Sequence, residues 1–248
     1  MDSIAEILEL ADEYESELPA LPALPPVPPG AQIAGWIDHT LLKPEATSDQ
    51  IEGLCKEALK HNFASVCVNP AYVPLASRLL ADSQVLVCTV AGFPLGATLP
   101  TQKSFEALSC ILYGASEIDM VMNIGALKSE SYGLVINDVQ SVAQTVHNQK
   151  LILKVILEMP LLTRREKIIA CLICKAARAD FVKTSTGFVP GGATVEDVDL
   201  MYRVVGPKIE VKAAGGIRDY ETATAMIRAG ATRLGASAGV KIIQEALE

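Results

Sequence analysis

From Ala31 onward, short runs of apolar and β-branched residues alternate with longer stretches whose apolar positions recur at helical spacing. Runs of the first kind predict buried strands, and stretches of the second predict amphipathic helices. Strands are expected near residues 34–39, 65–68, 85–90, 117–122, 151–156, 181–183, 210–213 and 233–235. A helix follows each, among them 48–61, 101–113, 131–148, 163–177, 194–204 and 219–229. Strictly alternating strands and helices imply a parallel sheet covered by helices. Eight pairs within residues 31–248 fit a closed (β/α)8 TIM barrel better than an open doubly wound sheet. Neither G-x-G-x-x-G nor a P-loop occurs, so nucleotide binding by either device has no support.

Residues 1–30 break this pattern and read as an extension of a single barrel domain spanning 31–248. Ile4, Ile7, Leu8 and Ala11 give residues 2–18 one apolar helical face, and Pro19, Pro22, Pro25, Pro26, Pro28 and Pro29 then predict extended polyproline II backbone. Such a segment is either a solvated tail or a helix that docks on its own domain or a partner. It also accounts for most of the net charge of −8: residues 1–35 carry seven acids and no Lys or Arg, leaving 21 basic against 22 acidic residues. A near-neutral barrel offers no basic stripe for nucleic acid or an anionic membrane. No apolar run is long enough for a membrane span, and the N-terminus lacks the basic region of a secretory signal. Cys55, Cys67, Cys88, Cys110, Cys171 and Cys174 sit mostly in apolar runs, which suits buried thiols in a reducing cytoplasm. The C-x-x-C of Cys171 and Cys174 has no second pair or histidine to complete a zinc site.

The chemistry lies in charged residues that interrupt apolar strands. Lys183 and Lys212 stand in strands six and seven, one βα unit apart, where both ammonium groups are expected to reach the barrel mouth. At ~6 Å and an effective dielectric of ~20, two such charges repel by about 2.8 kcal/mol, enough to favour a neutral amine on one of them. A neutral amine attacks a carbonyl to form an imine. The alternative is that each lysine snorkels or pairs with a carboxylate. Asp119, flanked by Ile118 and Met120, is the matching acid for a proton relay. Lys154 is a third strand lysine, with Glu158 four residues on as its expected partner, for orientation near substrate or for structure alone. Asp38 and Thr40 end strand one and can bond substrate hydroxyls or cap the turn. Cys67, ending strand two, is expected to face the site.

Thr184-Ser185-Thr186-Gly187, Ala214-Gly215-Gly216-Ile217 and Leu234-Gly235-Ala236-Ser237 follow strands six, seven and eight. Loops at these positions hold phosphate in barrels, because backbone N–H groups converge there. Gly187, Gly215, Gly216, Gly235 and Ser237 are the phosphate-site candidates, with Thr186 beside them on the substrate. His39, His61 and His147 have no metal-ligand spacing, so no metal or other cofactor is expected.

The chain resembles the 2-deoxyribose-5-phosphate aldolases in Ile37-Asp38-His39-Thr40-Leu41-Leu42-Lys43-Pro44, Val66-Cys67-Val68-Asn69-Pro70, Val90-Ala91-Gly92-Phe93-Pro94-Leu95-Gly96, Glu117-Ile118-Asp119-Met120-Val121-Met122-Asn123, Asp180-Phe181-Val182-Lys183-Thr184-Ser185-Thr186-Gly187 and Val211-Lys212-Ala213-Ala214-Gly215-Gly216-Ile217-Arg218. These motifs run in family order from about residue 35 to the end. The resemblance implies cofactor-free cleavage of 2-deoxy-D-ribose 5-phosphate to D-glyceraldehyde 3-phosphate and acetaldehyde. It assigns the imine to Lys183, and the tuning of that amine and proton transfer to Lys212 and Asp119. A cytoplasmic homo-oligomer, with a dimer favoured, is also implied. The chain departs from the family pattern at Met159-Pro160, at Ala238 in place of a second serine, and in lacking a C-terminal tyrosine tail. Rival readings are another imine-forming sugar-phosphate aldolase, a transaldolase-like enzyme, and a non-catalytic sugar-phosphate-binding barrel.

Overall fold

The computed structural model describes residues 3–248. Eight parallel strands close into one barrel in sequential order: β1 (Ile37–Leu41), β2 (Ser65–Val68), β3 (Leu86–Ala91), β4 (Glu117–Val121), β5 (Ile152–Ile156), β6 (Phe181–Lys183), β7 (Glu210–Ala214) and β8 (Arg233–Ala236). Around them lie α1 (Ile4–Ser16), α2 (Ser48–His61), α3 (Val73–Leu80), α4 (Pro100–Leu112), α5 (Ile124–Lys128), α6 (Tyr132–His147), α7 (Arg164–Ala176), α8 (Val195–Val205), α9 (Tyr220–Arg228) and α10 (Gly239–Glu245). The (β/α)8 architecture expected from the sequence is the one formed. The largest departure is β1, which begins at Ile37 because residues Gly30–Trp36 coil into 3-10 turns under the barrel.

Local chemistry sets the helix starts. Thr47 and Thr163 form capping boxes with Gln50 and Glu166, so amides that the first turn leaves without partners are satisfied by side chains. α2 ends at Asn62, which takes the left-handed conformation at φ 54°.

Alternation along each strand separates two environments. Ile118 and Met120, Leu153 and Val155, Val182, and Val211 and Ala213 point outward into the main core beneath the helices. The opposite parity faces the barrel axis, where bulky aliphatic residues usually fill the space. Here Leu42, Cys67, Cys88 and Val90 form only a small apolar cluster. Much of the rest of the interior is ionic.

The extension lies against its own barrel, which decides between the two readings of it. Ile7 and Ala11 are buried in the main core, and Arg165 on α7 meets Asp12 at 2.7 Å and Glu15 at 3.6 Å. Burial of the apolar face is the stronger term, since exposed ion pairs contribute little. The proline segment is pinned through its carbonyls: Tyr202 Oη donates to Ala23 O at 2.6 Å and Arg203 Nη1 to Pro19 O at 3.2 Å. All six cysteines are buried and free, Cys171 and Cys174 among the core residues of α7. Among the described residues, no helix is long and apolar enough to cross a membrane.

Candidate active site

Parallel pairing aligns Lys183 with Lys212 and Asp119 with Lys154. Both members of the first pair donate to one atom, Asp119 Oδ2, Lys183 Nζ at 2.8 Å and Lys212 Nζ at 2.7 Å. The other carboxylate oxygen receives Lys154 Nζ at 3.0 Å and Cys88 Sγ at 3.2 Å. All of these side chains are buried. The bare lysine–lysine repulsion expected from the sequence is therefore bridged by a carboxylate. Burial pushes Lys212 down, but Asp119 and Asp38 outweigh it and hold this amine above the ordinary lysine value. Burial likewise opposes ionisation of Asp119, and Lys154, Lys183 and Lys212 together pull it well below the carboxylate range. In the resting site the charged forms of Lys212 and Asp119 are the favoured ones.

A second layer lies below. Lys154 Nζ reaches Glu117 at 2.6 Å, and Arg233 Nη1 reaches Asp38 at 2.7 Å and Glu117 at 3.3 Å. Lys212 also pairs with Asp38 Oδ2, and Ser65 Oγ donates to Asp38 Oδ1 at 2.7 Å. Burial raises Asp38, while Lys212, Arg233 and Lys154 pull it below its ordinary value. Three carboxylates (Asp38, Glu117, Asp119) thereby face four basic side chains (Lys154, Lys183, Lys212, Arg233). Single charges could not be buried at this depth without such compensation.

Above this network opens a pocket of about 240 Å³, lined by Thr40, Lys183, Thr186, Gly187, Gly215, Gly216, Gly235 and Ser237 among others. All five proposed phosphate-loop residues line it together. Gly215 is required for two reasons: its φ is +96°, and a Cβ there would stand 2.9 Å from Gly192 Cα. Gly192 and Gly215 bring the loops after β6 and β7 into direct contact, joined by Ala193 N donating to Gly215 O at 3.0 Å. Gly235 leaves room for Lys212, whose Cε would lie 3.2 Å from an added Cβ. On the open side, Phe93 meets Phe188 edge to face at 5.2 Å.

Several expectations need correction. Lys212 does not reach the mouth; it is fully buried below the pocket, and of the strand lysines only Lys183 lines it. Asp38 and Lys154 also lie beneath the pocket instead of on it, because their inward positions belong to lower layers of the barrel. Glu158 is not the partner of Lys154. The strand has ended and the backbone turned to φ +54° by Glu158, which carries its carboxylate to Thr186. Cys67 lies under Phe93 with Leu42, Cys88 and Val90, not in the pocket wall. Its thiol is lowered by a hydrogen bond with Cys88, against burial and with help from Lys212. Lys43, Arg218 and Phe188 line the pocket but were not singled out from the sequence. Lys43 and Arg218 stand within the quoted motifs, and a cation beside a glycine loop was the available signal. Two trios, Cys67–Cys88–Asp119 and Asp38–Cys88–Glu117, have metal-compatible spacing. The lysine and arginine cations already occupy their carboxylates.

A primary amine at the floor of a glycine-lined pocket, on the C-terminal face of a parallel barrel, is the arrangement of a lysine-centred barrel aldolase. The model of the DeoC/LacD family aldolases matches residues 33–245, and the chain belongs to that family. It is 59% identical over 212 residues to the deoxyribose-phosphate aldolase of Halalkalibacterium halodurans, covering 85% of this chain and 94% of that one. Against deoxyribose-phosphate aldolase 1 of Bacillus licheniformis the identity is 57%, with coverage of 86% and 95%. A solved structure from Coccidioides immitis, provisionally named a deoxyribose-phosphate aldolase, superposes with TM-score 0.91 at 44% identity and 98% coverage of both chains. The tetrameric deoxyribose phosphate aldolase of Aeropyrum pernix superposes with TM-score 0.82 at 30% identity, covering 98% and 97%.

Proposed function

We infer that this chain is a deoxyribose-phosphate aldolase that cleaves 2-deoxy-D-ribose 5-phosphate reversibly to D-glyceraldehyde 3-phosphate and acetaldehyde. The observation that carries the mechanism is that Lys183 alone joins the buried Lys–Asp–Lys cluster to the pocket. Lys183, as the free amine, adds to the aldehyde carbon of the open-chain sugar, and loss of water gives a protonated imine. A base removes the proton of the C3 hydroxyl, and that oxygen's electrons form the new carbonyl as the C2–C3 bond breaks. The bonding pair flows to the imine nitrogen, leaving an enamine on Lys183. Protonation at C2 and hydrolysis then release acetaldehyde and restore the amine. Asp119 and Lys212, hydrogen-bonded to each other, and Lys183, bonded to the same Asp119 oxygen, form the relay through which protons reach and leave the reacting amine.

The glycine loops together with Lys43 and Arg218 supply backbone donors and cationic arms for the phosphate. Thr40 holds the sugar, while Asp38, Cys67 and Lys154 shape the floor beneath it. No cofactor is required, because the imine nitrogen is the electron sink. The free buried thiols suit the cytoplasm, where the product aldehydes would enter nucleotide breakdown. A homodimer is the assembly proposed. Phe105 and Leu112 on α4, with Leu99 and Tyr113 at its two ends, leave apolar side chains exposed, a surface that a partner would cover.

Incubation with 2-deoxyribose 5-phosphate and borohydride, followed by peptide mass mapping, tests the reading. A reduced adduct on Lys183 is expected; an unmodified Lys183 during active turnover would overturn it.

A further inference from the structure

Glu158 is nearly fully buried, carries a long charged side chain, and adopts φ +54° and ψ +56°. Few non-glycine residues sit in this region, and those that do cluster where the surroundings impose it. Its carboxylate does not line the pocket. Instead it grips the next loop at two points: Oε1 accepts from Thr186 N at 3.1 Å and Oε2 from Thr186 Oγ1 at 2.5 Å. Thr186 Oγ1 in turn accepts from Phe188 N at 3.1 Å. The amides on both sides of Gly187 are thereby committed, whereas the Gly187 amide has no partner among the described residues. Gly187 lines the pocket.

The same turn braces the loop elsewhere. Leu157 N and Met159 N donate at 2.9 Å to the carbonyls of Lys183 and Thr184. Pro160 lies where a side chain on Gly191 would fall, 2.9 Å from an added Cβ. Met159-Pro160, the departure noted in the sequence, is therefore part of the support beneath the β6–α8 loop.

We propose that Glu158 is a positioning residue that orients Thr186 and the free Gly187 amide toward the phosphate end of the substrate. It thereby sets the preference for phosphorylated over unphosphorylated sugar. This rests on the deoxyribose-phosphate reading of the site. A carboxylate suits the task because both Thr186 groups donate to it, and a charged acceptor makes such bonds stronger than a neutral one. Glutamine keeps the shape but replaces one acceptor by a donor.

The test compares wild type, Glu158→Gln and Glu158→Asp on 2-deoxyribose 5-phosphate and on 2-deoxyribose, with wild-type turnover of the phosphate ester established first. Absence of that turnover would sink the functional reading and leave the clamp to be judged by inorganic phosphate binding. Glu158→Gln should raise KM for the phosphate ester about tenfold, in keeping with loss of a charge-assisted bond. The kcat should stay within about twofold, and kcat/KM for the free sugar should change little. If Glu158→Gln does not fold, Glu158→Asp, which keeps the charge but draws the carboxylate back from Thr186, must show the same split. Inorganic phosphate, titrated by calorimetry, should bind both variants more weakly. Equal losses on both sugars, a fall in kcat alone, or unchanged KM and phosphate affinity would each overturn the proposal.

Discussion

Lys183 and Lys212 donate to the same oxygen of Asp119, at 2.8 and 2.7 Å. Their division of labour follows from what else each touches. Lys212 also holds Asp38 and is sealed in, whereas Lys183 opens on the pocket. Replacing Lys212 by leucine should leave the pocket intact and remove its ammonium. The kcat is expected to fall by ~10²–10⁴, the usual weight of a proton-transfer group. Calorimetric binding of a sugar-phosphate ligand should persist, and near-normal kcat would contradict the division.

The buried charges also predict how stability varies with pH. Asp38 and Asp119 are both held below their ordinary values, so their stabilisation is complete above the unfolded carboxylate value of ~3.9 and is lost as pH falls below it. Lys212 is held above its ordinary value, so its contribution is complete below the unfolded lysine value of ~10.4 and declines as pH rises beyond it. Urea midpoints measured across pH should therefore show a plateau that falls at both ends. Asp38→Asn should flatten the acid limb.

Gly235→Ala tests the space beside Lys212. The new methyl would sit 2.9 Å from Ala214 Cβ and 3.2 Å from Lys212 Cε. Overpacking of this kind costs about 1–3 kcal/mol, visible in thermal melts. A loss of kcat at least tenfold is expected as Lys212 shifts from Asp119. Full activity would show that the lysine position is more tolerant than this packing implies.

The exposed apolar side chains of α4 predict an effect on assembly. Phe105 and Leu112 are 68% and 78% exposed, so aspartate at both positions should cost little within a single chain. Sedimentation should show the double variant as a monomer where the wild type is a dimer. A wild-type monomer would refute the proposed dimer, and an unchanged dimer in the variant would place the contact elsewhere.

Much of this site was legible because charge stood where the strand pattern demanded apolar residues. Lys183, Lys212 and Asp119 were visible for that reason. Glu117 and Arg233 begin their strands, where a charged residue is ordinary, so nothing marked them as members of the buried network. Spacing suggested that Glu158 faced Lys154, but one left-handed residue turned it toward Thr186. Four residues of separation carry meaning only while the strand continues. Lys43 and Arg218 sit in loops, where a solvated cation is unremarkable until the pocket wall is seen.

The contact of Gly192 with Gly215, and the Ala193–Gly215 hydrogen bond beside it, have a consequence for how the enzyme can diversify. Side chains introduced at either glycine would displace both walls at once, so this side of the pocket can accept change only in concert. Phe93 and Phe188 meet through a single ring contact across the mouth. Change is easier there, where a substitution disturbs one ring contact instead of two backbone walls.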